Sequence, residues 1–261
     1  MYKIEELSNE INAFILSKSE KISLVFLDID DSSKHIYINE KAVFPSASTI
    51  KVLIMAKALE AVIEKKHSLN EKVIVNESDK VPYSIVTCLH SDTYLYIDLI
   101  TLMIISSDNT ATNILIDILG MENICEYAVK IGLTNTFLRR KMMDSEAVNR
   151  GTENVTSALD MLMLFNKINC SKILNKNMCD LIIKILSQNM DTEVLLRYLP
   201  DNVNCGHKTG DVKNINHDIG IFNINNNKYI LGIFVRGGNF SYISKHIIGK
   251  ISKIIYDYVT A

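Results

Sequence analysis

The chain has 261 residues, 48% of them hydrophobic, and a formal net charge of −2. That length builds one large domain or two intimate lobes around a substantial core. The near-neutral balance gives no electrostatic footprint for nucleic acid or an acidic membrane, and no apolar run reaches the roughly 18 residues of a membrane span.

Ile4, Leu7, Ile11, Phe14 and Ile15 recur at helical spacing, which predicts an amphipathic helix over 3–17. Glu5, Glu6 and Glu10 interrupt it, so it has neither the basic start nor the unbroken apolar core of a secretory signal. The expectation is a cytoplasmic protein, or a secreted one whose sequence here begins after a removed leader. Cys88, Cys125, Cys170, Cys179 and Cys205 form an odd, scattered set without metal-type spacing. They read as reduced, mostly buried thiols of an intracellular protein, with a thiol nucleophile among them as one alternative. Residues 22–29 and 35–38 read as two strands joined by a polar turn, a hairpin.

The character changes at Phe44-Pro45-Ser46-Ala47-Ser48-Thr49-Ile50-Lys51. A proline followed by small polar residues is a helix start, and Ile50, Leu53, Ile54, Ala58, Leu59 and Val62 continue at helical spacing to about residue 65. Ser48 and Lys51 then stand at i and i+3 on one face, in the first turn of the helix, where free N–H groups favour developing negative charge. A serine hydroxyl is a weak nucleophile until a neighbouring base takes its proton, and a lysine is such a base only when it is neutral. The same residues also fit a capping serine followed by a solvated lysine.

From 46 to about 188 the pattern is helical with loops. The buried run 99–105 ends at Ser106-Ser107-Asp108-Asn109, and a second helix over 111–119 is closed by Gly120. Ser107-Asp108-Asn109 fits an ordinary helix cap; it also offers a hydroxyl relay and an amide for a substrate. Strands return at 206–209, 219–224 and 229–235, the last two joined by a turn at Asn225-Asn226-Asn227. An amphipathic helix over 242–259 ends the chain. The first of these strands carries His207-Lys208-Thr209-Gly210, whose lysine and threonine suit a carboxylate and whose glycine permits close backbone approach. This order predicts an α/β (α+β) architecture. Residues 1–45 and 190–261 build an antiparallel sheet covered by the terminal helices, and 46–189 form an inserted helical lobe, with a cleft between them.

Ser-x-x-Lys on a helix, Ser-Asp-Asn in a loop and Lys-Thr-Gly on a late strand occur here in one order, and with them the chain resembles class A β-lactamases and the wider penicillin-recognising serine hydrolases. The resemblance covers nearly the whole chain. Pro82-Tyr83-Ser84 is similar to the class A segment whose tyrosine walls the substrate cleft. The resemblance implies that Ser48 attacks a β-lactam carbonyl, Lys51 helps deprotonate it, and Ser107 passes a proton to the leaving nitrogen. It implies that Asn109 holds Lys51 and the substrate amide, that Lys208 and Thr209 of the Lys208-Thr209-Gly210 segment bind a carboxylate, and that the N–H groups of Ser48 and Asp211 form an oxyanion hole.

Class A enzymes also carry a glutamate on an omega-shaped loop, with an asparagine four residues later, to activate the deacylating water. Aligned from Leu138 and Arg140, that glutamate falls near Met142. Glu146 is the surviving candidate base and Asp144 the second; both also fit surface carboxylates paired with Arg139, Arg140 or Arg150. His217-Asp218 stands near where the family places a carboxylate-binding arginine, for which Arg236 is a candidate substitute, and His207 tunes the site, touches the carboxylate or packs in the strand. The expected function is a serine β-lactamase with a small β-lactam or peptide-like substrate, acting as a monomer without metal or cofactor. The alternatives are a related peptidase or esterase, and a binding or sensing protein that acylates once.

Overall fold

The computed structural model describes residues 4–225, 227–238 and 240–261. Helix α1 (Ile4–Leu16) buries Leu7 and Ile11 and leads into β1 (Lys21–Asp28) and β2 (His35–Ile38). These strands pair antiparallel, with Leu24 opposite Ile38 and Leu27 opposite His35. β1 is buried continuously from Ile22 to Leu27 because both its faces are covered, whereas β2 alternates as an outer strand does.

β3 (Val43–Pro45) and a 3₁₀ turn (Ala47–Ile50) lead into α2 (Lys51–Ile63), which is buried almost all round from Lys51 to Ala61. α2 is therefore the central helix of the helical side and not an amphipathic surface helix. β4 (Lys72–Ile74) pairs with β5 (Thr93–Leu95), followed by α3 (Tyr96–Ile105), α4 (Asn109–Leu119) and α5 (Met121–Lys130). Gly120, at φ +80°, makes the bend between α4 and α5. Short α6 (Ser145–Asn149) and β6 (Val155–Ser157) precede α7 (Ala158–Asn169) and α8 (Lys176–Leu186). Ser157 and Asn175 cap α7 and α8 by accepting from the N–H groups of Asp160 and Met178.

β7 (Asn204–Val212), β8 (Ile215–Ile224) and β9 (Asn227–Arg236) then complete a five-stranded antiparallel sheet of order β2-β1-β9-β8-β7, and α9 (Ser241–Thr260) closes the chain. Leu24, Phe26, Leu231 and Ile233 pack one face of this sheet against α1 and α9. Val25, Ile219, Ile230 and Phe234 pack the other face into the same core as α2, α3, α4, α5, α7 and α8. Asn225 takes φ +50° at the end of β8 as its turn requires, and Asn226 lies outside the described residues.

Two features differ from expectation. The segment between the sheet halves carries the β3–β6 and β4–β5 pairs beside its helices. Three-residue strands have no readable alternation, and Val43 finds its partner in distant Ser157. Only Cys179 and Cys205 are buried; Cys125 is half-buried, and Cys88 and Cys170 are exposed at the ends of a 3₁₀ turn and of α7.

Candidate active site

Pro45 ends β3, and the Ser46 N–H donates to the Asn154 carbonyl (2.8 Å). Ala47 then adopts φ +46°, a bend unusual for a residue with a side chain. Thr49 donates its N–H (3.2 Å) and its hydroxyl (2.7 Å) to the Ser46 carbonyl, which tightens the next residues into a 3₁₀ turn. Ser48 therefore sits in that turn, and α2 itself begins at Lys51. β7 runs directly against the turn. A Cβ on Gly210 would lie 3.1 Å from Ala47 Cβ and 3.2 Å from Thr49 Cγ2, tight enough that the turn or the strand would have to give by a few tenths of an ångström. Ser48, Thr209 and Asp211 consequently line one cleft of ≈ 1160 Å³.

Lys51 is fully buried. Its Nζ donates to the Ser107 carbonyl (2.6 Å) and to Asn109 Oδ1 (2.9 Å), and lies 3.1 Å from Ser107 Oγ. Burial, helped by Lys208, pushes its pKa well below the ordinary lysine value; Asp108 opposes the shift. A neutral amine keeps two N–H bonds to the two carbonyl oxygens and leaves its lone pair for a hydroxyl proton. Lys208, also fully buried, donates to Ser107 Oγ (3.2 Å) and to the Thr209 carbonyl (2.9 Å). Burial pushes its pKa down to about 8, with Asp218 and Asp191 holding it up. The Ser107 hydroxyl thus lies between two lysine nitrogens, a short path for a proton.

Asp108 explains why that loop is rigid. Its Oδ1 caps α4 by accepting from the Ala111 N–H (2.8 Å), and its Oδ2 accepts from the Val86 N–H (2.9 Å). Ser107 is held at φ +58°. Asn109 donates its Nδ2 to the Pro82 carbonyl (3.2 Å) and its N–H to the Tyr83 carbonyl (3.4 Å), leaving Tyr83 on the cleft wall, 82% exposed.

The 140–153 loop is pinched at its neck by Arg140 Nη2 and Glu153 Oε1 (2.6 Å). Asn154 accepts from the N–H groups of Arg139 and Arg140 and donates to the Arg140 carbonyl. Within the loop, Met142 donates its N–H to Asn113 Oδ1 (2.8 Å) and accepts from Asn113 Nδ2 (3.1 Å), which clamps it to α4 one turn beyond Asn109. Met142 is buried and lines the cleft. Glu146 is not brought to the site. Asp144 caps α6 through the Ala147 N–H (2.9 Å), which turns Ala147 inward. Glu146 is left with an 87% exposed side chain, 3.6 Å from Arg150. Asp144 does line the cleft, with one carboxylate oxygen engaged in that cap.

His207 and His217 are packed within the sheet. His207 is buried with Nδ1 3.0 Å from Asp218 Oδ1, and Asp218 Oδ2 accepts from the Leu195 N–H (3.0 Å). His217 packs T-shaped against Phe44, with Nε2 2.9 Å from the Pro45 carbonyl and Nδ1 2.8 Å from the Asn216 carbonyl and 3.2 Å from the Val235 N–H. Burial pushes its pKa down to about 4, so it stays neutral and anchors the strand before Ser48. Arg236 stands exposed at the end of β9 opposite Lys21, outside the cleft lining. Lys245 of α9 pairs with Asp211, 3.3 Å from its Oδ2. Sequence reasoning missed Asn113, Asn154 and Lys245. Only Asn113 left a signal, four residues after Asn109 and so on the same face of α4.

A serine one turn from a buried lysine of depressed pKa, with a relay hydroxyl and a second lysine beside them, defines a serine acyl-transfer site. Residues 6–259 match the model of the β-lactamase enzyme family. The chain belongs to that family, whose general mechanism is a serine acyl-enzyme. The β-lactamase BRO-1 of Moraxella catarrhalis is 28% identical over 228 residues, 83% of this chain and 73% of that protein. The β-lactamase CTX-M-6 of Salmonella typhimurium is 26% identical, covering 77% and 70% of the two chains. Among solved structures, PBP-A superposes with a TM-score of 0.88 at 27% identity, over 97% of this chain and 95% of that one. The TLA-3 extended-spectrum β-lactamase superposes with a TM-score of 0.92 at 24% identity over 99% and 100%, a likeness of fold.

Proposed function

We propose that this protein opens β-lactam amides as a class A-type serine β-lactamase, and that release of the acyl group is its slow step. Lys51 takes the Ser48 hydroxyl proton as Oγ bonds to the carbonyl carbon. The N–H groups of Ser48 and Asp211 hold the resulting oxyanion, each such donor being worth roughly 3 kcal/mol. As the C–N bond breaks, Ser107 delivers the proton to the leaving nitrogen, while Lys208 and Thr209 hold the substrate carboxylate. The observation that carries this reading is the buried Lys51 amine, bonded to Ser107 and Asn109 one turn from Ser48.

The slow step follows from Met142, which occupies the clamped loop position beside the cleft where a water-activating carboxylate is needed. The same observation favours a second reading, a penicillin-binding or sensing protein that retains its adduct. A mutant of PBP-A, 26% identical with a TM-score of 0.88, is solved as an acyl-enzyme complex with penicillin G. Intact-protein mass spectrometry after mixing with penicillin G and removing the free drug tests both. An adduct that persists for minutes to hours and is absent in Ser48→Ala is expected. An adduct unchanged in Ser48→Ala removes Ser48 from the mechanism, and one lost within seconds refutes the slow step.

A further inference from the structure

On the α9 side of the sheet, apart from the residues that line the Ser48 cleft, basic side chains from three segments converge on one phenol. Gly249 lets them meet. A Cβ there would lie 2.9 Å from Tyr198 Cδ2 and 3.1 Å from Arg197 Cβ, so a side chain on this turn of α9 would force residues 197 and 198 away. Tyr198 is half-buried against the helix. Its hydroxyl accepts from Arg197 Nε (3.1 Å) and lies 2.7 Å from His246 Nδ1. Lys250 Nζ stands 5.1 Å from the centre of the Tyr198 ring and Arg197 Cζ 5.6 Å from it, so the π-face holds both cations. Lys18, just beyond the end of α1, acts on the same histidine.

The gathering is electrostatically unfavourable as it stands. His246 and Lys250 are at i and i+4 on α9, where like charges repel. Of the three cations only Arg197 has an ion-pair partner among the described residues. That partner is Glu193, 2.8 Å away and 67% exposed. Lys18, Arg197 and Lys250 against Glu193 leave a surplus of two positive charges. Burial, and then Lys250, Arg197 and Lys18, push the His246 pKa below its ordinary value, which keeps the ring neutral until an anion offsets those charges. The Ser48 chemistry uses none of these groups.

We propose that Lys18, Arg197, His246 and Lys250 form a binding site for a phosphate group, with Tyr198 as the post that fixes the donors around it. A guanidinium fork, two ammonium groups and an imidazole supply a tetrahedral dianion with both donors and matching charge. A carboxylate carries one charge and would leave half of the surplus unmet. The site stands independently of the Ser48 reading.

The test follows the histidine C–H signals of the whole chain by NMR during titration with pyrophosphate and, separately, inorganic phosphate. The solution holds about 0.15 M sodium chloride, which screens exposed charges beyond roughly 8 Å. A saturable shift of the His246 signals is expected, with the titration midpoint of that ring displaced to higher pH, because a bound anion favours the imidazolium. Arg197→Gln and Lys250→Gln should each weaken binding about ten-fold, the order of one charge-assisted hydrogen bond. Tyr198→Phe keeps every charge and loses only the hydroxyl, and should weaken binding too. Lys176→Gln, at an exposed lysine on α8 paired with Asp180, should leave it unchanged. Unaltered far-ultraviolet circular dichroism reports that each variant is folded. Absence of a saturable His246 shift overturns the site. Binding that Tyr198→Phe leaves intact, or that Lys176→Gln weakens equally, also overturns it, because the attraction would then be general. Once binding is seen, sedimentation with phosphatidylglycerol vesicles that pyrophosphate reverses assigns the phosphate to a lipid headgroup, and no sedimentation assigns it to a soluble ligand.

Discussion

Replacing Met142 by glutamate should shorten the life of a penicilloyl adduct on Ser48 by about a hundred-fold, the lower end of what a positioned general base contributes. Asn113 holds the residue through its N–H and its carbonyl, so the backbone of the variant stays where it is and only the side chain changes. Glutamate reaches about as far as methionine, and at a buried position its pKa rises toward the range useful for a base. A hundred-fold gain corresponds to about 2.7 kcal/mol off the deacylation barrier. Burying the carboxyl should cost about 1–3 kcal/mol of stability, read as a lower urea midpoint. The assay is the decay of the adduct mass after excess penicillin is removed. Met142→Gln keeps the shape without a base and should leave the lifetime unchanged. Glu146→Gln, on the outer face of α6, should also leave it unchanged. An unaltered lifetime in Met142→Glu, or equal acceleration in Met142→Gln, refutes the reasoning. A wild-type adduct that decays quickly and is preserved by Glu146→Gln refutes the assignment of Glu146 to the surface.

Gly210→Ala should lower the acylation rate constant about 10²–10³-fold with the far-ultraviolet circular dichroism intact, because β7 and the Ser48 turn must give way to each other, which misplaces the Asp211 donor against Ser48. Unchanged acylation would show that β7 does not form the oxyanion site. With its pKa near 8, Lys208 is an ammonium below that value and loses its proton above it. Acylation by a penicillin should therefore fall about ten-fold per pH unit above 8, while the uncharged methyl ester of the same drug shows no such limb; equal profiles would remove Lys208 from carboxylate binding. Asp218→Asn takes away a charge that holds the Lys208 pKa up, so that limb should move to lower pH. The same change should cost about 1–3 kcal/mol by depriving His207 and the Leu195 N–H of their carboxylate partner. A limb that stays in place would show that Asp218 supports only the fold.

Local chemistry made most of the elements and half of the site legible. Serine and lysine three residues apart at a helix entry share a face in any surrounding, and Ser107-Asp108-Asn109 must lie where two apolar helical runs break. The periods of α1, α4 and α9 and the apolar runs of β1, β8 and β9 depend on neighbours within a few residues. The depressed pKa of Lys51 depends instead on burial against α4 and on Lys208 from a strand far along the chain. A linear reading makes Glu146 the candidate base and puts the family's glutamate position near Met142. The Asp144 cap and the Asn113 clamp decide that one faces water and the other the cleft. His217 stands near where the family places a carboxylate-binding arginine, and packing against Phe44 with a contact to the Pro45 carbonyl makes it an anchor. Residue types and short-range geometry were therefore determined by the sequence itself. Which charged groups lost their water, and which loop residue met the acyl group, were decided by tertiary packing, because solvation and distance between remote segments exist only in the folded chain.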